Sequence, residues 1–313
     1  MIKSLIRRII LAVPLLILVS ITTFVFETLM PGNTAVALLG ENATPQEYAA
    51  VQTTLHLNQP LLIQYWDYVK GLFHGSLGVS IFTGESVAHA IYQRFPVTLS
   101  VIFGALILST IVGVWLGIQS AVRGRLWAKI VDVFSLLGLA MPSFWIALML
   151  VALFAVRFSW FPATGYEPFS GGVVQWLHFL VLPIVALSAF GIATISKVTR
   201  DAMLSTLQMD FIRTLRAAGI PRRSIIWKHG LRNSSVPIVT MVGLTAIHSI
   251  TGAILIESVF ALPGIGLLVV DATNKHDIPI VQGVALVLTL FVIVMNLLVD
   301  LSYGLLDPRT RVQ

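Results

Sequence analysis

Apolar residues dominate six stretches of the chain, each long enough to cross a bilayer core, which takes about 20 predominantly apolar residues. They run from about Ile9 to Phe26, Val97 to Gln119, Ile130 to Val156, Phe179 to Ile195, Val236 to Ile256 and Ile280 to Leu306. Pro142 and Pro183 fall inside or near the third and fourth. In lipid a helix tolerates proline where neighbouring helices satisfy the freed carbonyls. The alternating polar/apolar pattern of a membrane β-barrel is absent. The pattern predicts an all-α polytopic membrane protein with six transmembrane helices. Lys3, Arg7 and Arg8 before the first apolar run resemble a secretory signal. The run is long for one and no small-residue cleavage site follows, so it reads as an uncleaved first helix.

Two polar segments interrupt the spans. The first, residues 31–96, is long for a connection and is expected to be structured. Thr44-Pro45-Gln46-Glu47 reads as a helix start, with Thr44 as N-cap, Pro45 in the first turn and Glu47 closing a capping box. Leu55, Leu57, Leu61, Ile63, Tyr65, Trp66, Tyr68, Leu72 and Phe73 supply apolar faces for short amphipathic helices on the membrane surface or capping the bundle. A plain spacer is the alternative. The second segment is 196–233. Leu204, Leu207, Phe211 and Leu215 fall on one helical face. Gly219 is a C′ stop, and Pro221 can open a second helix through Arg222, Arg223, Ile225, Ile226 and Trp227. This basic helix–turn–helix could be a solvated loop, an anionic-lipid contact or a partner-docking element; composition leaves these open.

Only 11% of the 313 residues are charged and 57% are hydrophobic, with mean hydropathy +0.90. A soluble fold of this size needs far more polar surface. With no cysteine, disulfides, iron–sulfur clusters and cysteine-based zinc sites are excluded. If the N-terminus is cytoplasmic, 16 of the 20 Lys and Arg fall on the inside and 4 outside. By the positive-inside rule both termini are cytoplasmic and residues 31–96 extracytoplasmic. Eight basic residues, from Lys197 to Arg232, lie in the second polar segment alone. The net charge of +6 is therefore an orientation signal rather than an affinity for nucleic acid.

The chain lacks a phosphate-binding G-x-x-x-x-G-K-[ST] loop, a G-x-S-x-G elbow and an HExxH motif, so it is not expected to be an enzyme. Its histidines show no metal-ligand spacing, and the sequons at Asn42 and Asn233 are short patterns expected by chance. Ionisable residues at membrane depth are functional candidates. They are Glu27, His248, Glu257 and Asp300. Glu27, Glu257 and Asp300 sit near helix ends, where hydrogen bonding to neighbouring backbone would explain them. His248 reads as a helix–helix hydrogen-bond partner or cavity lining rather than a proton relay.

The run Asp210-Phe-Ile-Arg-Thr-Leu-Arg-Ala-Ala-Gly219, continuing to His229-Gly-Leu-Arg-Asn233 and Pro237, resembles the cytoplasmic coupling loop of bacterial ABC importer permeases. It is closest to the dipeptide/oligopeptide/nickel branch. Arg213-Thr214-Leu215 stands where the general loop has Glu-Ala-Ala, a departure typical of the peptide branch. The resemblance extends over nearly the whole chain. It includes Gly40–Pro45, Asn58–Leu61, Gly75–Gly78, Met141–Trp145, Trp160–Gly165, Glu257–Gly266, Gln282-Gly283 and Asp300–Arg309. His248 departs from the family, which usually has a small or apolar residue there.

The resemblance implies a permease subunit of the bacterial inner membrane, importing peptides by alternating access. Its implied partners are a second homologous permease, two ATP-binding subunits and an extracytoplasmic substrate-binding protein. ATP and magnesium would be held by the ATPases, with no cofactor in this chain. Asp210, Arg213, Thr214, Leu215, Arg216, Ala217, Ala218, Gly219 and Pro221 would form the ATPase-coupling loop. Met141, Ser143, Thr245, His248, Ser249 and Glu257 are candidates for the path or gate, with Glu257–Gly266 an outer turn. The chain divides into 1–30, the outer loop 31–96, a permease core 97–306 and a tail 307–313. A nickel or other small-ligand importer is the alternative within the class. A secondary carrier is the alternative outside it, although no internal repeat or buried midplane charge supports that.

Overall fold

The computed structural model describes residues 2–29, 34–40, 43–55 and 58–306. Pro31, Glu41, Asn42, Leu57, Arg309 and Arg311, with the rest of the tail 307–313, lie outside the described residues. So do the side chains of Lys3, Arg7, Arg8, Glu27 and Arg125. The described chain is helical apart from connections and one isolated bridge between Val79 and Ser86. Four helices are long and apolar enough to span a membrane, and a sharply bent pair makes up to a fifth. The first apolar helix contributes a shorter stretch, Ile10–Phe26.

The chain forms two compact units. One is built on Leu99–Leu262 and residues from Val294 onward, the other on Ile2–Thr98 and Pro263–Ile293. The second unit holds α1 (Ile2–Leu29), α2 (Thr34–Leu39), α3 (Pro45–Thr54), α4 (Leu61–Phe73) and α13 (Ile265–Lys275), with the first turns of α5 (Val87–Val122) and α14 (Ile278–Leu306). The expected capping box opens α3. Glu47 N–H donates to Thr44 Oγ1 at 3.3 Å, while Thr44 N–H donates back to the Glu47 carboxylate at 2.7 Å. Hydrogen bonds from the Thr44 backbone and hydroxyl hold the Glu47 carboxyl below its ordinary pKa. A depressed carboxyl pKa stabilises above the ordinary value, so this box loosens only as pH falls through the acid range.

The amphipathic α4 lies against α1: Tyr65 and Phe24 have ring centroids 5.5 Å apart, and the Tyr65 hydroxyl bonds to Ser20 at 3.3 Å. Val87, Ala90, Ile91, Ile265, Leu268, Ala272, Ile280, Val281 and Val284 form the unit's buried cluster. Burying apolar surface, at roughly 25 cal/mol per Å², holds these distant stretches together.

Asp277 secures the junction of α13 and α14 to the turn before α5. Its carboxylate is buried at 4% exposure and accepts the Ser80 hydroxyl at 2.5 Å and the Ile81 amide at 3.2 Å. Asp277→Ala is expected to leave both donors unpaired, each at about 1–3 kcal/mol. Hydrogen exchange over 79–86 should quicken markedly, with Asp277→Asn intermediate because its amide oxygen can still accept one bond.

The first unit is organised around α8 (Val173–Leu207), against which α6 (Arg125–Ala140), α7 (Ser143–Leu150) and α12 (Ser235–Phe260) pack. The third apolar stretch is not one helix. It breaks at Met141-Pro142 into segments inclined by 102°. Pro142 has no N–H to donate and disfavours helical backbone at the residue before it; Met141 is accordingly extended at φ −92°, ψ 124°. Beyond α7 the chain winds as a π-helix from Val151 to Arg157. Ser135 and Ser196 share a buried hydroxyl hydrogen bond at 3.1 Å, and Arg200 pairs with Asp132 at 2.5 Å, both joining α6 to α8.

Three further boundaries differ from the pattern reading. α5 begins at Val87, ten residues before the apolar stretch, because His89, Arg94 and Pro96 lower the hydropathy of turns that are nonetheless helical. Glu257 belongs to α12, so the turn there is confined to Ala261–Gly264. The face expected to run from Leu204 to Leu215 is split: α8 ends at Leu207, Met209 is extended, and α9 (Asp210–Ala217) starts afresh.

Candidate functional site

The segment between α8 and α12 presents a small basic helix on a buried anchor. In α9 Ile212 is fully buried, while Phe211 and Leu215 are half-buried. Arg213, Thr214, Arg216, Ala217, Ala218 and Gly219 are exposed. Eight of the nine expected coupling positions therefore lie on the exposed surface of this segment; Leu215 turns inward to hold the helix down. Asp210 pairs with Arg213 at 3.2 Å, but with both side chains mostly exposed this adds little stability. Its carboxylate in the first turn does suit the positive end of the helix dipole.

The helix ends in a Schellman motif. The Ile220 amide donates to Leu215 O at 3.1 Å and the Gly219 amide to Arg216 O at 3.0 Å. Gly219 has the left-handed φ of +73° this closure requires. Pro221 is extended and opens the short α10 (Arg222–Ser224), from which Arg222 donates to Val122 O at 3.2 Å. A π-helix follows from Ile225 to Gly230, then α11 (Leu231–Asn233). A groove of about 650 Å³ runs beneath, lined by Leu204, Leu207, Arg216, Ile220, Arg222 and Ile226. The hydroxyls of Thr206 and Ser234, 2.9 Å apart and buried, close the segment at its base. That bond ties the end of α8 to the start of α12.

Ile212 was not singled out from sequence, although it is the anchor. Once the helix restarts at Asp210, the i, i+1, i+4 triplet of Phe211, Ile212 and Leu215 is the signal that would have found it. The π-helix has no sequence signal of its own; such insertions are frequent at functional sites.

The six path or gate candidates do not share one surface. Met141 borders an apolar cavity of about 730 Å³ with Phe134, Met149 and Leu153. Ser143 is half-buried and its Oγ lies near Gly252 of α12. Thr245 and Ser249 are buried at 3% and 5% exposure, with Thr245 packed on Gly191 of α8 and the Ser249 hydroxyl bonded to Thr245 O. Glu257 is fully buried. Only His248 is exposed. It makes no interhelical hydrogen bond among the described residues; instead its ring stacks on Phe190 with centroids 4.0 Å apart. The same α12 turn thus carries small hydroxyls inward and the imidazole outward.

Comparison with known proteins agrees with this architecture. The dipeptide transport system permease protein DppB of Alkalihalophilus pseudofirmus is 37% identical, covering 97% of this chain and 98% of that one. DppB of Escherichia coli is 34% identical over 99% of each chain. The inward-facing MetNI methionine ABC transporter shares the fold, with a TM-score of 0.54 at 17% identity over 71% of this chain and 96% of that one. Residues 1–102 match the N-terminal family of binding-protein-dependent transport system membrane components. Residues 109–312 match the inner membrane component itself, and the chain belongs to that family, the binding-protein-dependent transport system inner membrane components.

Proposed function

We propose that this chain is one of two permease subunits in an ATP-driven importer of dipeptides and oligopeptides. The observation that carries the reading is the α9–Gly219 element, an exposed basic helix with a rigid glycine stop, seated between two spans. In this reading all six apolar stretches cross the inner membrane, the bent pair and α1 included, with both termini cytoplasmic. Residues 31–96 form an extracytoplasmic cap facing a substrate-binding protein. Two ATPase subunits bind ATP and magnesium and press on Arg213, Thr214, Arg216, Ala217, Ala218 and Gly219. Leu215 and Ile212 transmit that push to the ends of α8 and α12, biasing a two-state permease between inward and outward access. Chemistry at the phosphates stays with the ATPases.

Dipeptide cargo is supported by the names of the relatives. The test is reconstitution with a second permease, two ATPases and a binding protein in liposomes. Dipeptide uptake should require ATP inside the vesicles and all the other subunits. Uptake by this chain alone, driven by an ion gradient, would place it among secondary carriers instead. Uptake of a nickel complex but no peptide would keep the importer class and move the cargo.

A further inference from the structure

An ionisable side chain is expensive to leave against lipid at membrane depth, and such groups face protein or water instead. His248 lies midway along the 26-residue α12 and is exposed in the chain. The ring lies nearly parallel to Phe190, at 14°, so its plane is fixed while its edge is left open. Neither ring nitrogen bonds to another described residue. Exposed positions recur at helical spacing on this face of α12: Leu244 one turn before His248, then Thr251, Leu255 and Ser258 after it. The Ser258 hydroxyl returns to its own helix at Ile254 O, 3.0 Å away, so it is the imidazole that has to meet protein or water rather than lipid on this face.

We propose that His248, seated on Phe190, faces the translocation path near its midpoint and hydrogen-bonds a carbonyl or carboxylate oxygen of the passing peptide, making it a specificity-determining contact. This rests on the peptide-permease reading. An imidazole can both donate and accept, and a peptide offers acceptors at each amide and at its terminal carboxylate. A second permease packed on this face is the competing occupant.

The absence of cysteine makes the test clean, because His248→Cys introduces the chain's one thiol. In the assembled importer, a charged membrane-impermeant methanethiosulfonate should modify H248C and T251C, and leave I250C, on the buried face, untouched. Dipeptide with its binding protein should slow the H248C reaction. His248→Leu should lower dipeptide uptake by about tenfold relative to His248→Gln, the effect of one lost hydrogen bond to a charged acceptor. An unreactive H248C thiol overturns the placement, as does a His248→Leu chain that no longer co-purifies with the second permease. Reaction at an unchanged rate with dipeptide overturns the cargo contact, as does equal uptake by the two variants. A wild-type importer that takes up no dipeptide is a failure of the peptide reading itself, seen before any variant is made.

Discussion

In the importer proposed above, Gly219→Val should lower ATP-dependent uptake by about tenfold or more while the chain still inserts and co-purifies with the second permease. The reason is backbone strain rather than crowding. A Cβ built on Gly219 meets nothing within 4 Å in the chain, yet its φ is +73°. That region costs an ordinary L-residue about 1–2 kcal/mol, and a β-branched residue fits it worst. Since 1.4 kcal/mol is tenfold in an equilibrium, the ratio of capped to uncapped α9 falls by about tenfold. Loss of the cap frees Leu215 O and Arg216 O, the acceptors of the Ile220 and Gly219 amides, and the exposed basic surface loses its fixed orientation. Basal ATP hydrolysis should persist, because no group that touches nucleotide has changed. Gly219→Asn separates the two possible causes. Asparagine tolerates left-handed backbone, so uptake lost in that variant as well would mean a partner fills the space the chain leaves open. Wild-type uptake by Gly219→Val would remove the turn from the proposed coupling.

That turn was legible in the sequence, as was the capping box at Thr44, because both depend on residues a few positions apart. The break at Met141-Pro142 was not. Pro14, Pro96 and Pro183 lie inside continuous helices, so a proline in an apolar stretch does not say whether the helix bends or stops. The restart of the helix at Asp210 was hidden for a related reason: Leu204, Leu207, Phe211 and Leu215 keep helical spacing across a break that has neither glycine nor proline. Asp277 gripping Ser80 and Ile81 is a contact across nearly 200 residues, with no local signal. The candidate path residues were the least legible. Spacing puts Thr245, His248 and Ser249 on neighbouring positions of one helix, but it cannot say which side of that helix meets α8.

The packing around α8 supplies the other large expected effect. Gly113 and Gly117 form a Gly-x-x-x-Gly pair on α5, the spacing that lets membrane helices approach closely. A Cβ on Gly117 would lie 2.6 Å from both Ser196 O and Thr199 Cβ. One obstacle is backbone and the other a branched stem, so neither can swing aside. On Gly104 of the same helix an added Cβ would also clash, with the terminal carbon of Ile184 and, at 2.9 Å, with its Cγ1; there a side chain rather than backbone has to give way. The two substitutions therefore compare overpacking against one side chain with overpacking against backbone. Gly→Ala in a helix is intrinsically favourable by about 1 kcal/mol at either position. Overpacking against immovable atoms costs about 1–3 kcal/mol or more. Gly104→Ala, where only the Ile184 side chain must shift, should change the thermal unfolding midpoint in detergent less than Gly117→Ala does. Gly117→Ala should lower it by about 5 °C, and Gly117→Leu should prevent stable accumulation in the membrane. Equal midpoints for the two alanine variants would mean that α5 and α8 can part without penalty. Close packing could not then carry motion from the α9 segment, through Thr206 and the end of α8, to the other spans. A selective loss at Gly117 would instead show that α5 and α8 are held at closest approach, the contact that the proposed push on the end of α8 needs if it is to reach a neighbouring helix.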